Sequence, residues 1–192
     1  MTSDVEVDDA PLTTSKRDDA VAVARQEIPD AQGDVLVGRS VTINRPAHEL
    51  YAYWRDFANL ATFMENIERI EVVDRGLSHW VVKAPGGTHV EWDARVTEEQ
   101  DGKVIAWTSQ NADVANSGRV EFKDAGARGT VVTATLLYDP PAGFIGKIVA
   151  KLFQREPNVQ ARRDLRRFKQ LMETGEIAVA ATTRAKADEE KN

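Results

Sequence analysis

The spacing of apolar residues changes along the chain and predicts a strand, two short helices, a series of strands and a closing helix. Residues 35–44 are rich in β-branched residues that alternate with polar neighbours, which predicts the first strand. Pro46 follows and suits a first helical turn, where its missing N–H is not needed. The first short helix is predicted by four apolar residues at helical spacing, Leu50, Tyr53, Trp54 and Phe57. A second short helix is predicted by Leu60, Phe63 and Met64.

Between Ile67 and Tyr138 the apolar period becomes two, which is typical of strands with one buried face. The clearest example runs from Val90 to Val96, where apolar residues alternate with charged and polar ones. Connections that contain glycine are short enough to join antiparallel neighbours, so the pattern predicts an antiparallel sheet. These predicted turns lie at residues 85–87, 101–102 and 126–129.

A helical period returns after Asp139 and continues to Gly175. One apolar stripe falls within residues 145–153 and a second within residues 161–172. Pro157 lies between the two stripes and predicts a kink, because its ring clashes with the carbonyl four residues earlier. Basic residues lie opposite the second stripe, so the pattern predicts a long amphipathic helix that closes the domain.

Charge and composition indicate where the folded part begins and ends. Residues 1–34 hold nine acidic and three basic side chains without a sustained apolar period, which predicts a mostly disordered acidic tail. Residues 176–192 are mainly Ala, Thr and charged residues and predict a flexible C-terminal tail. The folded domain is therefore expected at residues 35–175. The N-terminus lacks the apolar segment of a secretory signal, so we expect a cytoplasmic protein.

Several kinds of site are not expected in this chain. It has 192 residues, no cysteine and a net charge of −6. The lack of cysteine excludes disulfides, thiolate metal sites and cysteine nucleophiles, and the acidity argues against nucleic-acid binding. The three histidines lack the spacing of a zinc site, so we expect no metal and no cofactor. No carboxylate or hydroxyl has an evident partner for acid–base or nucleophilic catalysis, so no catalytic residue is assigned.

Several short fragments of the sequence, which follow one another in the order given below, resemble the START-like or SRPBCC superfamily. The resemblance is closest to its polyketide cyclase/dehydrase and coenzyme-Q-binding branches. The resemblance covers about residues 35–175. It implies an α+β helix-grip fold, in which a curved antiparallel sheet wraps around the long C-terminal helix. Two short helices after the first strand then roof a hydrophobic tunnel. The fragments are Val41–Leu50, Trp54–Phe57, Phe63–Met64, Ile105–Ser109, Gly118–Phe122, Gly129–Thr130, Tyr138–Pro140 and Leu165–Leu171.

The resemblance also carries expectations about function. Members of the superfamily bind sterols, lipids, quinones, plant hormones or polyketide intermediates, which implies binding or transport of a hydrophobic small molecule in an internal cavity. The alternative is a polyketide cyclase or dehydratase that acts on a ligand held in the same cavity. Because the inward positions are mostly apolar, the sequence favours a non-catalytic binding protein. A third hypothesis is an interaction module that uses its charged tails as contacts.

Large side chains on the predicted concave face and the second short helix are the candidates for the cavity wall. Aromatic rings offer a ligand apolar surface, and a Trp N–H or Tyr O–H can orient it. The same rings could instead fill the core, and the sequence leaves both interpretations open. The candidate ligand-binding residues are Phe63, Met64, Trp80, Trp92, Trp107, Phe122 and Tyr138.

The closing helix is the basic part of an acidic chain, with eight basic and three acidic side chains in residues 142–175. One interpretation is a charged helix face in water. Another is peripheral contact with an anionic membrane, to which each basic residue contributes about 1 kcal/mol. That contact would suit a protein that takes an apolar ligand from a bilayer. It would involve Lys147, Lys151, Arg155 and the arginines after Pro157.

Overall fold

The computed structural model describes residues 20–84, 87–139 and 157–177, which form a curved antiparallel sheet with helices on both faces. The seven strands lie side by side in the order β1-β7-β6-β5-β4-β3-β2, and each neighbouring pair is antiparallel. The strands are β1 (Val35–Ile43), β2 (Ile67–Val72), β3 (Leu77–Ala84), β4 (Thr88–Gln100), β5 (Val104–Gln110), β6 (Asn116–Asp124) and β7 (Thr130–Tyr138).

Within the described residues, three α-helices accompany the sheet. They are α1 (Ala20–Glu27), α2 (Ala47–Arg55) and α3 (Pro157–Thr174), and a 3₁₀ helix (Phe57–Thr62) follows α2. The antiparallel sheet, the two short helices after the first strand and the C-terminal helix confirm the predicted helix-grip architecture. The predicted apolar stripe at 145–153 lies outside the described residues, as do the residues that would show a kink before Pro157.

Helix α3 lies against β1 and is held there at its C-terminal end. The Lys169 ammonium donates to the carbonyl of Thr42 at 2.6 Å. The Arg45 guanidinium donates to the carbonyl of Met172 at 2.7 Å. Ile177, the last described residue, is partly buried against the core, so the described structure continues past the predicted domain end at 175.

The concave face is densely packed where α2 and α3 meet the sheet. Phe63 and Phe168 are fully buried, and their ring centroids are 4.8 Å apart. Trp54 lies 5.2 Å from Phe168 and 6.3 Å from Phe122, and Tyr51 lies 5.8 Å from Phe122. We call these five residues the aromatic core. Each such pair adds about 0.5–1.5 kcal/mol beyond the burial of its area, so this cluster fastens both helices to the sheet.

The convex face is covered by residues that were predicted to be disordered. The prediction of a disordered tail is wrong for residues 20–34, because Ala24 and Ile28 are buried against Leu137 of β7. The Ser117 hydroxyl also donates to the carbonyl of Gln32 at 2.7 Å. Val21, Ala24 and Ile28 follow helical spacing, but three positions, one of them a small alanine, are too few for a sustained apolar period. Residues 1–19 lie outside the described residues.

We predict that Ile28→Ala lowers the free energy of unfolding by about 2–4 kcal/mol, because it leaves a cavity between α1 and the sheet. Urea unfolding followed by tryptophan fluorescence would measure the change. Gln26→Ala, at an exposed position on the same helix, is the control and should stay within about 0.5 kcal/mol of the wild type. Equal stability of Ile28→Ala and the control would show that α1 does not stabilise the domain.

Candidate functional site

Three tryptophans form a stack on the concave face. The Trp80 ring lies between two others, with its centroid 5.9 Å from Trp92 at 18° and 6.4 Å from Trp107 at 13°. Trp80 and Trp92 are direct neighbours across β3 and β4. The Trp80 indole N–H donates to the hydroxyl of Ser78 at 2.8 Å, which fixes the middle ring. We call these three rings the tryptophan stack.

The position of Trp107 depends on a glycine in the next strand. Gly118 is its partner across β5 and β6. A Cβ atom on Gly118 would lie 2.2 Å from Cζ2 of the Trp107 indole, far closer than two carbon atoms can approach. The indole therefore occupies the space that any side chain at position 118 would need.

A partly enclosed cavity of about 70 Å³ lies beside the tryptophan stack, near the end of β7 and the start of β6. Engineered cavities of about 150 Å³ bind benzene, and pockets for drug-sized ligands span about 300–1,000 Å³. The space is thus smaller than one aromatic ring needs without adjustment. Its described lining is mostly apolar and consists of Val82, Val90, Trp92, Trp107, Val114, Asn116, Leu136 and Tyr138.

Two residues of the lining each hold a buried side-chain polar atom without a hydrogen-bond partner among the described residues, Nε1 of Trp92 and Oδ1 of Asn116. Asn116 is only 5% exposed, and its amide nitrogen donates to the carbonyl of Val114 at 2.9 Å. This bond orients the amide and leaves its oxygen unpaired.

Tyr138 is the ionisable residue in the described lining. Burial raises the pKa of its hydroxyl above the usual value, so the group is protonated at neutral pH. It can exchange hydrogen bonds with a ligand but is a poor proton acceptor in its neutral form.

The structure places four of the seven predicted ligand-binding residues at this site. Trp92, Trp107 and Tyr138 line the cavity, and Trp80 stacks between the first two without being part of the lining. Their role in binding a ligand stays a prediction.

The other three predicted residues lie away from the cavity. Phe63 and Phe122 belong to the aromatic core, where neighbouring rings fill the space that a ligand would need. Met64 is partly buried and packs against that core. For these residues the alternative interpretation, that large side chains simply fill the interior, fits the structure.

Sequence reasoning missed five lining residues. Four of them are aliphatic, and the fifth is Asn116. A signal for Asn116 existed, because it shares the alternation of Gly118, Val120 and Phe122 and therefore faces the concave side. The aliphatic residues are Val82, Val90, Val114 and Leu136.

A second space, an open cleft of about 770 Å³, lies at the side of α2 and is lined by charged residues, among them Arg55, Arg75 and Glu99. Arg55 holds Glu99 through two hydrogen bonds of 2.8 and 3.1 Å, and the Tyr51 hydroxyl donates to Glu99 at 3.0 Å. Burial, together with this bond, raises the pKa of Tyr51 to about 12, while the bonds from Arg55 lower the pKa of Glu99. The ion pair between Arg55 and Glu99 attaches α2 to β4, so we assign this cleft a structural role.

Asp164 is a half-buried carboxyl group on α3, near Glu65. Burial raises its pKa to about 7, and the neighbouring Glu65 carboxylate adds to the rise. Gln160 donates to the carboxyl at 2.8 Å, and this bond and the charge of Arg167 partly offset the shift. Asp164 has a pKa suited to proton transfer, but it is not part of the described cavity lining.

The described ranges contain neither a metal-type cluster nor a membrane-spanning helix. His79 and His89 pair with Asp93 and Glu68, each at 2.9 Å. Within these ranges no three His, Asp or Glu side chains gather as metal ligands would. None of the described helices combines the length and the apolar character that crossing a bilayer requires.

The family to which this architecture belongs is identified by comparison with known proteins. A family model described as polyketide cyclase / dehydrase and lipid transport matches residues 43–166, from the end of β1 into α3. The chain belongs to this family. The family resemblance inferred from the sequence is therefore confirmed, and START superfamily structures share the helix-grip fold.

Individual proteins are similar to this chain in sequence or structure. An uncharacterised 17.2 kDa protein of Streptomyces lincolnensis is 32% identical over 138 residues, which span 71% of this chain and 89% of the relative. A solved structure from Deinococcus radiodurans is 40% identical, with a TM-score of 0.62 over 74% of this chain and 100% of that one. An aromatase/cyclase from Streptomyces sp. R1128 is 16% identical, with a TM-score of 0.58 over 75% of this chain and 99% of that one. The last similarity concerns the fold alone.

We predict that Gly118→Ala displaces the Trp107 ring and lowers the free energy of unfolding by about 1–3 kcal/mol through overpacking. Urea unfolding would give the stability, and near-ultraviolet circular dichroism would report the loss of the tryptophan stack. The control is Gly76→Ala, whose added Cβ would have its nearest neighbour at 3.7 Å. An unchanged aromatic spectrum in Gly118→Ala would show that the position of the Trp107 ring does not depend on Gly118.

We predict that Asp164→Asn becomes more stable relative to the wild type as the pH rises from about 4 to about 8. The unfolded chain loses this proton near its ordinary pKa of about 4, whereas the folded protein retains it up to about 7. Wild-type stability therefore falls across this window, and the asparagine variant lacks that loss. The relative gain should exceed about 1 kcal/mol, since a tenfold difference in proton affinity between the folded and unfolded protein corresponds to about 1.4 kcal/mol.

Urea unfolding of both proteins at several pH values within that window would measure this gain. Asp56→Asn, which changes an exposed carboxyl, serves as the control. A stability difference between Asp164→Asn and the wild type that does not depend on pH would refute the raised pKa.

Proposed function

We propose that this protein binds a hydrophobic small molecule, such as a lipid, a quinone or a polyketide-like compound, in the cavity beside the tryptophan stack. The observation that carries the proposal is the contrast between the two ends of the concave face. One end is filled by the aromatic core, while the other keeps an apolar cavity lined by large rings. Membership of a cyclase/dehydrase and lipid-transport family supports the same role.

The size of the cavity limits what these residues can enclose. A volume of about 70 Å³ admits a small group or the end of a chain, so a larger ligand would extend beyond it. Burial of apolar area contributes about 25 cal/mol per Å², so a group that buries on the order of 100 Å² gains about 2.5 kcal/mol. Association costs at least about 4 kcal/mol. Useful affinity therefore needs further contacts or hydrogen bonds.

The alternative is a cyclase or dehydratase acting on the same ligand. That chemistry needs a group in the cavity that exchanges a proton near neutral pH. Tyr138 lines the cavity but stays protonated, and Asp164 has a suitable pKa but lies outside the described lining. The described residues therefore favour binding over catalysis.

Peripheral contact with a membrane through the C-terminal helix stays a prediction. Lys147, Lys151 and Arg155 lie outside the described residues. Two of the arginines beyond them, Arg163 and Arg167, form ion pairs with Glu65, which reduces the charge available to an anionic surface.

Solvent extraction of the purified full-length protein, followed by mass spectrometry, tests the proposed function. We expect the wild type to carry a hydrophobic compound. Val114→Phe would fill the cavity, because Val114 is buried and lines it. The amount of bound compound should fall by at least about tenfold, which corresponds to about 1.4 kcal/mol of lost binding free energy. Thermal unfolding would verify that the variant is folded.

The matched control is Val72→Phe, which makes the same substitution at a position that is 54% exposed on the edge strand β2. This variant should carry as much compound as the wild type. Empty wild-type protein from several expression hosts would overturn the proposal, and so would undiminished loading of a folded Val114→Phe variant.

A further inference from the structure

We infer that residues 30–34 hold the wall of the cavity in place from the opposite face of the sheet, and that Gln32 thereby limits the size of the group that the cavity accepts. We call residues 30–34 the strap. This inference rests on the proposed function and gives Gln32, which lies outside the cavity, a positioning role. Its basis is a division in the sheet that the strap spans.

The division lies between β5 and β6. The ladder that joins these strands ends at the pair Thr108–Ser117. Beyond that pair Ser109 remains paired with β4, whereas Asn116 remains paired with β7. The sheet therefore separates at this end into two halves, one that includes β4 and β5 and one that includes β6 and β7.

The cavity extends across this division. Among its described lining residues, four belong to β3, β4 and β5, and three belong to β6 and β7. The volume of the cavity therefore depends on the distance between the two halves. One hydrogen bond crosses the division within the sheet, where the backbone N–H of Asn116 donates to the hydroxyl of Ser109 at 2.8 Å.

Gln32 connects the two halves from the convex face. Its side-chain amide donates to the carbonyl of Ser109 at 3.2 Å, on the β5 side. On the β6 side its backbone forms two hydrogen bonds with the hydroxyl of Ser117. The Gln32 N–H donates to this hydroxyl at 2.9 Å, and the Gln32 carbonyl accepts from it at 2.7 Å. A single residue thus spans the place where the ladder has ended.

The strap is anchored to each half beside Gln32. The hydroxyl of Thr108 donates to the carbonyl of Asp30 at 3.0 Å, on the β5 side. Gly33 is buried and lies so close to β7 that an added Cβ atom would be 2.6 Å from the carbonyl carbon of Leu137. These contacts fix the strap to both halves, so it resists their separation.

The strap and the cavity lie on opposite faces of the same backbone. Successive side chains of a strand point to opposite faces. Asn116 and Trp107 line the cavity, and the residues that follow them, Ser117 and Thr108, bond to the strap. Holding the second pair in place therefore also fixes the backbone that carries the first.

The volume of the cavity determines which guests depend on the strap. At about 70 Å³ it is smaller than the cavities of about 150 Å³ that bind benzene. The wall can widen at the division without breaking the ladder, but the hydrogen bonds to Gln32 must then break. A net intramolecular hydrogen bond shifts an equilibrium by roughly two- to tenfold. Its prior removal should favour a guest that needs more room, and not one that already fits.

Xenon and benzene are suitable probes, because both are apolar and they differ in size. Binding to the full-length protein would be measured by NMR, from the xenon-129 shift for xenon and from the indole N–H resonances for benzene. We expect Gln32→Ala to bind benzene at least about threefold more tightly than the wild type does, and xenon equally well. Gln26→Ala, also at an exposed position N-terminal to β1, is the matched control and should bind both probes as the wild type does.

Hydrogen exchange gives a second readout, which needs no ligand. The Asn116 amide bonds across the division, so it should exchange at least about threefold faster in Gln32→Ala than in the wild type. Amides in the middle of β6 should exchange as in the wild type, which distinguishes local widening from a general loss of stability. Ser117→Ala removes both bonds to the Gln32 backbone and should change benzene binding and exchange in the same direction.

The possible results separate the inference from the proposed function. If the wild type binds a probe but neither variant changes the ratio of the two affinities, the inference is overturned while ligand binding stands. Unchanged exchange of the Asn116 amide in both variants has the same meaning. If neither probe binds to any of the proteins, the inference and the proposed function are both overturned. Should Ser117→Ala fail to fold, Gln32→Ala alone decides, because position 32 is exposed.

Discussion

The structure depends on covering the apolar concave face of a seven-stranded sheet. Seven strands at about 4.8 Å spacing span about 30 Å, while a helix with its side chains is about 10 Å wide. One helix therefore cannot cover the face alone. Helix α3 covers the side at β1, α2 reaches β6, and the 3₁₀ helix lies against β2. The aromatic core forms where these elements meet, and it fixes their positions relative to the sheet.

Away from that junction the sheet covers itself with its own tryptophans. The rings of Trp80, Trp92 and Trp107 stack on one another, Trp80 also contacts Phe57 of the 3₁₀ helix, and Gly118 supplies the space for Trp107. A cavity remains beside these rings. The two ends of the concave face thus differ: one is filled by the aromatic core, and the other retains free volume.

The fold could be predicted well from the sequence, because alternation of period two, turn glycines and the final amphipathic helix all report backbone geometry directly. The candidate site could be predicted only in part. Alternation correctly assigned Trp92 and Phe122 to the same face, yet only Trp92 lines the cavity. Which end of a strand is packed depends on where α2 and α3 cross the sheet, a tertiary property that no local pattern encodes. The docking of α1 was missed because its apolar face is only about two turns long and gives no sustained period.

Because the first and last strands are neighbours in the sheet, the domain cannot complete its folding early in synthesis. Val35 of β1 pairs with Tyr138 of β7, so the first strand must wait for a partner about 100 residues further along. At synthesis rates of about 5–20 residues per second, that delay is roughly 5–20 s. During this time β1 leaves the ribosome with its β-branched residues unpaired and available to other strands or to chaperones. The sheet can close only when nearly the whole domain has been translated, so its final folding step is expected to be late and cooperative.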